Sequence, residues 1–222
     1  GDISSTFRAM REQLQAGLSM GMAGIPWWTS DIGGFLGGQV DDPAFRELLV
    51  RWFQWACFCP VFRMHGERSP WYEREQEYIG DVRQLTSGQS NEVWSFGDEV
   101  YEILRKYLFV RERMRPYIRE VMRAAHEHGD PVMRPLFYGF PADKAAWSVE
   151  DEYLFGADVL VAPVLEAGAR MRDVYLPAGA DWMDAATGAE YAGGQTVRMD
   201  APLETMPVLI RKGSGVRVYS DD

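Results

Sequence analysis

The sequence predicts an α/β fold followed by a small antiparallel β domain, and two observations carry this prediction. Up to Gly129, amphipathic helical patterns alternate with short apolar runs, which is typical of a parallel sheet covered by helices. From about residue 131, short apolar runs are separated by Gly, Pro and Asp turns, as in antiparallel β structure. We therefore expect two domains, residues 1–129 and residues 130–222.

Composition describes a globular chain and excludes several classes of partner. The 222 residues are 46% hydrophobic, enough for a substantial core. The 23 basic residues against 33 acidic ones give a net charge of -10, which argues against nucleic acid because phosphate backbones bind basic surfaces. No apolar run approaches the ~18 residues of a membrane span. We expect no membrane partner and favour a cytoplasmic protein, with an export signal upstream of Gly1 as the alternative.

The first helix is expected to begin at Ser4 or Ser5. Its apolar stripe has the three- and four-residue spacing of a helix and consists of Phe7, Met10, Leu14 and Leu18. Three glycines are expected to end it: Gly17, Gly21 and Gly24. The nearly all-apolar run MAGIPWW, residues 22–28, then predicts a strand buried on both faces.

The second helix and strand follow a glycine-rich loop. Asp41 or Asp42 can cap a helix that starts at Pro43 and runs to about Phe58. A short apolar strand is expected at about residues 59–64.

The longest predicted helix spans about Asp98 to His128, and Pro116 is expected to kink or divide it. Seven basic residues lie between Arg105 and Arg123. Because apolar positions are interleaved with them, we interpret them as a solvated helix face.

The two cysteines, Cys57 and Cys59, are separated by one residue within an apolar stretch. This spacing suits neither a loop-closing disulfide nor a four-ligand zinc site. We expect buried free thiols, no metal and no cofactor.

Three polar residues are expected at the carboxyl ends of strands: Asp2, Asp31 and His65. In a barrel and in an open doubly wound sheet alike, such side chains face the ligand site. Aromatic residues accompany them in the sequence, namely Trp27, Trp28, Phe35 and Trp71. Rings beside carboxylates suit a sugar, whose faces carry C–H groups and whose edges carry hydroxyls. The sequence therefore favours a carbohydrate site.

Five segments together resemble glycoside hydrolase family 31, which contains α-glucosidases and α-xylosidases. They are GDISSTF, GLSMGMAGIPWWTSDIGGF, FRMHG, PVMRPLF and VEDEYLFGADVLVAPVLEAGARMRDVYLPAG. The resemblance covers essentially the whole chain. It implies the C-terminal portion of a (β/α)8 TIM barrel followed by a small antiparallel β-sandwich domain. A complete barrel takes about 250 residues, so residues 1–129 are expected to supply only part of one.

The resemblance also implies roles for individual residues in a retaining mechanism that uses two aspartates. Asp2 matches the aspartate of the family's W-x-G-D segment and would be the general acid/base. Asp31 would lie at or just behind the sugar site, where its carboxylate would fix either a sugar hydroxyl or the pair Arg63 and His65. His65 would hydrogen-bond hydroxyls of the cleaved sugar, and Arg63 is expected among the substrate-binding residues. The wall of the sugar site would be shaped by Trp28 and Phe35, whereas Trp27 is interpreted as barrel core.

Each of these assignments has a structural alternative. The Asp31 carboxylate could instead cap the turn at Gly33 and Gly34. His65 could be a hydrogen-bonded core histidine. Arg63 could form a structural ion pair with Asp31.

The family's nucleophile lies in a W-x-D-x-x-E segment well before the acid/base, so the resemblance places it upstream of Gly1. Two acidic stretches within the chain are interpreted differently. Asp98 and Glu99 in VWSFGDE are expected in the first turn of a helix. Asp181 and Asp184 in DWMDAATG are expected among turn residues of the β domain.

The chain is thus expected to be a fragment of a retaining α-glycoside hydrolase. Its expected partners are an α-linked oligosaccharide or glycoside and the missing N-terminal part of the same enzyme. Two alternatives remain open: a non-catalytic carbohydrate-binding or scaffold chain, and a separately encoded subunit that completes its barrel with a second polypeptide.

Overall fold

The computed structural model describes residues 2–68, 78–79, 82–83 and 89–219. Gly1 and Trp71, both part of the sequence interpretation, lie outside the described residues. Two short strands, β1 (Tyr78–Ile79) and β2 (Val82–Arg83), pair in antiparallel orientation.

Four helices form the first part of the chain: α1 (Phe7–Met22), α2 (Pro43–Ala56), α3 (Asp98–Arg113) and α4 (Arg115–His128). The predicted cap of α1 at Ser4 or Ser5 is wrong, because the Thr6 side chain accepts the hydrogen bond from the Ala9 N–H. Asp42 caps α2 by accepting from the Ala44 N–H at 2.9 Å.

The glycines of α1 lie inside the helix and do not end it before Met22. A Cβ at Gly17 would lie 2.9 Å from Cε3 of Trp28, and one at Gly21 would lie 3.0 Å from the Met133 carbonyl oxygen. Both glycines therefore allow neighbouring segments to approach the helix closely. The helical period continues through them because packing outweighs the low helix propensity of glycine.

The predicted strands at residues 22–28 and 59–64 are not found in the described structure: α1 runs to Met22, residues 23–24 form a turn, and neither segment belongs to a ladder. They lie side by side, since the Val61 N–H donates to the Trp28 carbonyl oxygen at 3.3 Å. Pro26 and Pro60 have no N–H to give to a ladder. The two segments are thus adjacent as in a sheet, but with sparse pairing.

The predicted long helix divides at Met114, and Pro116 stands in the first turn of α4. Proline is tolerated there because its N–H would have no helical partner. Helix α4 ends at Gly129, which adopts φ 75°.

The chain after Gly129 forms an antiparallel β fold that begins with β3 at Met133. A six-stranded sheet has the order β3-β4-β5-β10-β7-β8, and β6 pairs with β9 in a separate ribbon. The strands are β3 (Met133–Arg134), β4 (Tyr153–Phe155), β5 (Val159–Val161), β6 (Met171–Leu176), β7 (Asp181–Asp184), β8 (Glu190–Ala192), β9 (Gln195–Asp200) and β10 (Val208–Arg211). A short helix, α5 (Leu136–Gly139), and a 3₁₀ turn (Ala145–Ser148) lie between β3 and β4.

The central strands of the six-stranded sheet, β4, β5 and β10, are buried on both faces. Tyr153 and Phe155 belong to the core that contains helices α1 to α4, whereas Leu154 between them belongs to a second core with Val174 and Leu176 of β6. The same alternation recurs in β5 and β10, as the period of a strand requires. The sheet therefore joins the helices on one side to the β6–β9 ribbon on the other, which confirms the predicted partial barrel followed by a β domain.

A buried arginine fastens α2 to the β domain. Arg51 is 0% exposed, and its guanidinium donates to four carbonyl oxygens of that domain. The acceptors are those of Ala169, Ala201, Pro202 and Thr205. Burial lowers the pKa of Arg51 to about 10, so it remains protonated at neutral pH and continues to donate all of these hydrogen bonds.

Part of the basic face predicted on α3 and α4 also contacts the protein. Arg111 donates to the carbonyl oxygens of Cys57, Cys59 and Pro60 just after α2. Lys106 donates to the Glu204 carbonyl oxygen. The interpretation as a solvated face is therefore wrong for these two residues, because each can reach unpaired carbonyl oxygens.

Cys57 and Cys59 are buried free thiols, as predicted. Burial raises the pKa of Cys57 to about 12 and raises that of Cys59 as well. Among the helices in the described part of the chain, none combines the length and apolar character needed to cross a bilayer.

We expect Arg51→Met to lower the free energy of unfolding by about 3 kcal/mol, because buried carbonyl oxygens would lose their donors. Arg105→Met is the control, since Arg105 is half exposed and contacts Glu102 and Phe109 on its own helix; its change should stay below ~0.5 kcal/mol. Urea unfolding followed by circular dichroism measures both. Equal losses would contradict the role given to Arg51.

Candidate active site

Three loops meet where the extended segments end. The Ile3 carbonyl oxygen accepts from the N–H groups of Phe35 and Leu36, and Ser4 forms a parallel bridge with Leu36. The Phe35 carbonyl oxygen accepts in turn from the Glu67 N–H at 2.7 Å. These bonds hold the segments that follow Asp2, Asp31 and His65 next to one another.

In the segment before Asp31, side chains alternate between two faces. Trp28 packs on Gly17 of α1 and lies 5.9 Å from the Trp55 ring of α2. The Ser30 hydroxyl accepts from the Trp52 indole at 3.0 Å. Trp28 and Ser30 both face the helices, whereas the Asp31 carboxylate meets the side chain of Arg63 in the neighbouring segment.

The segment before His65 alternates in the same way. Phe62 packs edge-on against Phe53 of α2, with ring centroids 4.7 Å apart, and Met64 packs on the same core. Arg63 and His65 therefore lie on the face opposite the helices, and both are exposed. The alternative of a buried core histidine does not describe His65.

Asp31 and Arg63 form an ion pair across the two segments. Nη2 of Arg63 donates to Oδ1 of Asp31 at 2.7 Å. The Asp31 side chain is 11% exposed, whereas that of Arg63 is 54% exposed. The turn at Gly34 is closed by the backbone carbonyl of Asp31, so the hydrogen bond described for the carboxylate is to Arg63 and not to the turn.

Phe35 and His65 lie together at the same edge. Their ring centroids are 5.3 Å apart and the rings are tilted by 44°. The Phe35 ring thus lies beside the His65 imidazole. This places Phe35 where its ring can form part of a ligand wall.

Asp2 is exposed and directly precedes Ile3, which bonds to the loop of Phe35. The structure thus brings four predicted residues to one edge: Asp2, Asp31, Arg63 and His65.

Two tryptophans differ from their interpretation in position or exposure. Trp28 packs among the helices, so its described contacts are not with Asp31. Trp27 was interpreted as barrel core, but its side chain is 68% exposed. Its face is opposite that of Trp28 because the two residues are adjacent.

Arg68 is the residue that sequence reasoning missed. It is 0% exposed and donates to the carbonyl oxygens of Ile32 and Gly34 at 2.9 and 3.0 Å. It also lies over the Phe45 ring of α2, 4.9 Å from its centroid. The only sequence signal for a buried donor was the glycine-rich run of residues 31–37. Its closely spaced carbonyl oxygens need hydrogen-bond donors.

Of the other acidic stretches, the first lies where the sequence indicated, whereas Asp181 and Asp184 are the first and last residues of β7 and not turn residues. Asp98 and Glu99 are in the first turn of α3. Asp184 accepts from the N–H groups of Ala186 and Thr187 in a β-domain turn. In the residues that the structure describes, no group of three or more His, Cys, Asp or Glu side chains is arranged to hold a metal ion.

We expect Gly34→Ala to destabilise the protein more than Gly37→Ala. Both glycines have positive φ, 80° and 88°, and an alanine at either would be strained by ~1 to 2 kcal/mol. A Cβ at Gly34 would also lie 2.7 Å from the Ser5 Cα, whereas nothing lies within 4 Å at Gly37. Thermal unfolding of the two variants measures the difference, and equal losses would show that the loop contact does not constrain Gly34.

Comparison with known proteins identifies the family. The model of the family 31 glycosyl hydrolase TIM-barrel domain matches residues 1–121. The model of the family's C-terminal domain matches residues 129–216.

Two individual proteins and one solved structure are also similar to the chain along most of its length. An α-xylosidase of Saccharolobus solfataricus is 33% identical over 214 residues, 96% of this chain and 26% of that protein. Alpha-glucosidase 2 of Bacillus thermoamyloliquefaciens is 35% identical over 97% of this chain and 24% of that protein. The crystal structure of a family 31 α-xylosidase from a soil metagenome, complexed with xylose, matches with 57% identity and a TM-score of 0.95 over 97% of this chain and 32% of that one.

The chain thus spans about a quarter to a third of the length of these relatives. The barrel model alone matches more than half of the chain, and the fold agrees with it. The chain belongs to glycoside hydrolase family 31.

Proposed function

We propose that the chain contributes the acid/base part of the active site of a retaining α-glycosidase. The observation that carries this proposal is the position of Asp31, Arg63 and His65, which share the face opposite the helices and meet the segment that follows Asp2. In a barrel, this edge is where substrate is bound.

Asp2 is proposed as the general acid/base. In a retaining mechanism one carboxylate attacks the anomeric carbon, and a second gives its proton to the departing oxygen and then activates water. Asp2 is exposed at the edge of the site, so a leaving group can reach it. The nucleophile is proposed to lie upstream of Gly1, in the part of the enzyme that the curated relatives have beyond the matched region.

Asp31, Arg63 and His65 are proposed to hold hydroxyls of the sugar that is cleaved. The Asp31 carboxylate is almost buried and fixed by Arg63, so its orientation is set before substrate binds. His65 is exposed beside Phe35, which combines a hydrogen-bonding edge with an apolar ring. Such a pair suits the mixed surface of a sugar.

Phe35 and Trp28 are proposed to contribute to the sugar wall in different ways. The Phe35 ring can contact sugar through its position beside His65. Trp28 would act from behind, since it packs on α1 and α2 and supports the segment that carries Asp31.

The proposed substrate is an α-linked glycoside or oligosaccharide. Relatives include proteins described as α-xylosidases and as α-glucosidases. The 57% identity to an α-xylosidase complexed with xylose makes an aryl α-xyloside the first substrate to test. We also propose the domain boundary at Gly129, where α4 ends.

We expect Asp2→Ala in the full-length enzyme to slow hydrolysis of substrates with poor leaving groups by ~10² to 10⁴ fold. Aryl glycosides with activated leaving groups should be affected far less, because they depart without a proton. Azide should restore part of the turnover and give an α-glycosyl azide. Equal loss on both substrate types without rescue would contradict the assignment, and sugar binding without any turnover would favour a carbohydrate-binding chain.

We expect Asp31→Asn to lower kcat and kcat/KM together, each by a factor that corresponds to ~1 to 3 kcal/mol of activation free energy. The reason is that hydroxyl contacts strengthen as the sugar ring flattens. Asp41→Asn is the matched control. Asp41 precedes α2, its side chain is 92% exposed, and it pairs with Arg46. Steady-state kinetics on the full-length enzyme compares the two. A change confined to KM, or an equal effect at Asp41, would argue against the role of Asp31.

A further inference from the structure

We propose that Arg68 is a positioning residue that orients Asp31 through the glycine-rich loop of residues 31–37. This inference rests on the proposed function of Asp31 and adds a residue that neither the resemblance nor the motifs single out. It is carried by the set of groups to which the guanidinium donates.

Arg68 joins three separate segments. Its Nη2 donates to the Ile32 carbonyl oxygen at 2.9 Å, and its Nη1 donates to that of Gly34 at 3.0 Å. Its Nε donates to Oδ1 of Asn91 at 2.8 Å. Nη1 also lies 3.1 Å from the Glu67 carbonyl oxygen. The loop after Asp31 is therefore tied to the segment after His65 and to the segment before α3.

A guanidinium suits this position and an ammonium does not. Within one plane, Nη1 and Nη2 of Arg68 reach the loop of residues 31–37, whereas Nε points in a different direction and reaches Asn91. The loops leave room for it, since a Cβ at Gly33 would lie 3.3 Å from Nη2 and one at Gly66 would lie 3.1 Å from Nη1. Lysine has a single nitrogen and cannot hold all three segments at once.

The bonds of Arg68 act next to Asp31 in the chain. Ile32 follows Asp31 directly, and the Gly34 N–H closes the turn on the Asp31 carbonyl oxygen. Holding Ile32 and Gly34 thus fixes the backbone from which the Asp31 carboxylate projects. A displacement of about 1 Å at a substrate-orienting group can lower the rate by ~10² fold.

Arg68 remains charged in this buried place. Burial lowers its pKa to about 10, and the nearby charge of Asp31 acts in the opposite direction. At neutral pH all of its donors are therefore available. The Phe45 ring, 4.9 Å away, covers the guanidinium on the side of α2.

Arg51 offers a matched control. It too is 0% exposed, has a pKa lowered to about 10 by burial and donates to backbone carbonyl oxygens. Its acceptors lie in the β domain, not beside Asp31. Loss of either guanidinium should destabilise the fold, but only loss of Arg68 should change the chemistry.

The test is a double-mutant cycle on the full-length enzyme, with an aryl α-xyloside and an aryl α-glucoside as substrates. At temperatures at which the variant is folded, Arg68→Met is expected to lower kcat by ~10 to 100 fold. If Arg68→Met does not fold, Arg68→Lys takes its place and should also lower kcat. Arg51→Met should leave kcat unchanged at temperatures where it is folded. In the Asp31→Asn background, the further effect of Arg68→Met should fall below ~3 fold, because the residue through which it acts is already altered.

An equal effect of Arg68→Met in both backgrounds would overturn the inference, as would a wild-type kcat in Arg68→Met or an equal loss in Arg51→Met. Failure of the proposed function gives a different pattern, in which Asp2→Ala and Asp31→Asn themselves leave turnover unchanged. Addition of guanidinium chloride at low concentration should restore part of the kcat of Arg68→Met and none in the Asp31→Asn variant.

Discussion

The packing of Trp28, Phe62 and Met64 against the helices is the constraint on which the candidate site depends. Trp28 packs on α1 and α2, Phe62 packs on Phe53 of α2, and Met64 packs on the same hydrophobic core. Phe62 and Met64 alternate along the chain with Arg63 and His65. All three side chains are partly buried. Because even partial burial of large apolar side chains stabilises the fold, a one-residue slip of either segment is disfavoured. The same alternation turns Arg63 and His65 to the other face, where Arg63 meets Asp31. The chemistry of the site is thus set by apolar packing behind it.

The helices are themselves held in place by the β domain. One face of the six-stranded sheet supplies Tyr153 and Phe155 to the helix core, and the Tyr153 hydroxyl donates to the Phe58 carbonyl oxygen at 2.7 Å. Arg51 adds polar contacts between α2 and the loop that precedes β10. Because α2 carries Trp52 and Trp55, which contact the segment of Asp31, the β domain supports the site indirectly.

The sequence predicted the helices, the change to antiparallel structure and the residues that meet at the edge, because these follow from local period and from strand ends.

It did not predict the buried arginines. Arg51 and Arg68 look like surface residues in a local pattern. Yet Arg51 donates to carbonyl oxygens as far as 154 positions away, and Arg68 donates both to the loop of residues 31–37 and to Asn91. The glycines of α1 were misread for the same reason, since Trp28 and Met133 make them necessary. Sequence proximity to Asp31 did not reveal that Trp28 packs on α1 and α2. The roles of Asp2, Asp31, Arg63, His65, Trp28 and Phe35 toward substrate stay predictions.

Covalent trapping of the glycosyl–enzyme intermediate tests the central claim most directly, namely that these residues supply the acid/base and that the nucleophile lies elsewhere. The full-length enzyme would be treated with a 5-fluoro α-glycosyl fluoride, digested and mapped by mass spectrometry. A retaining mechanism forms a covalent intermediate on one carboxylate, and we expect the label on a residue upstream of Gly1. A label on Asp2, Asp31 or any other carboxylate of this chain would contradict the account.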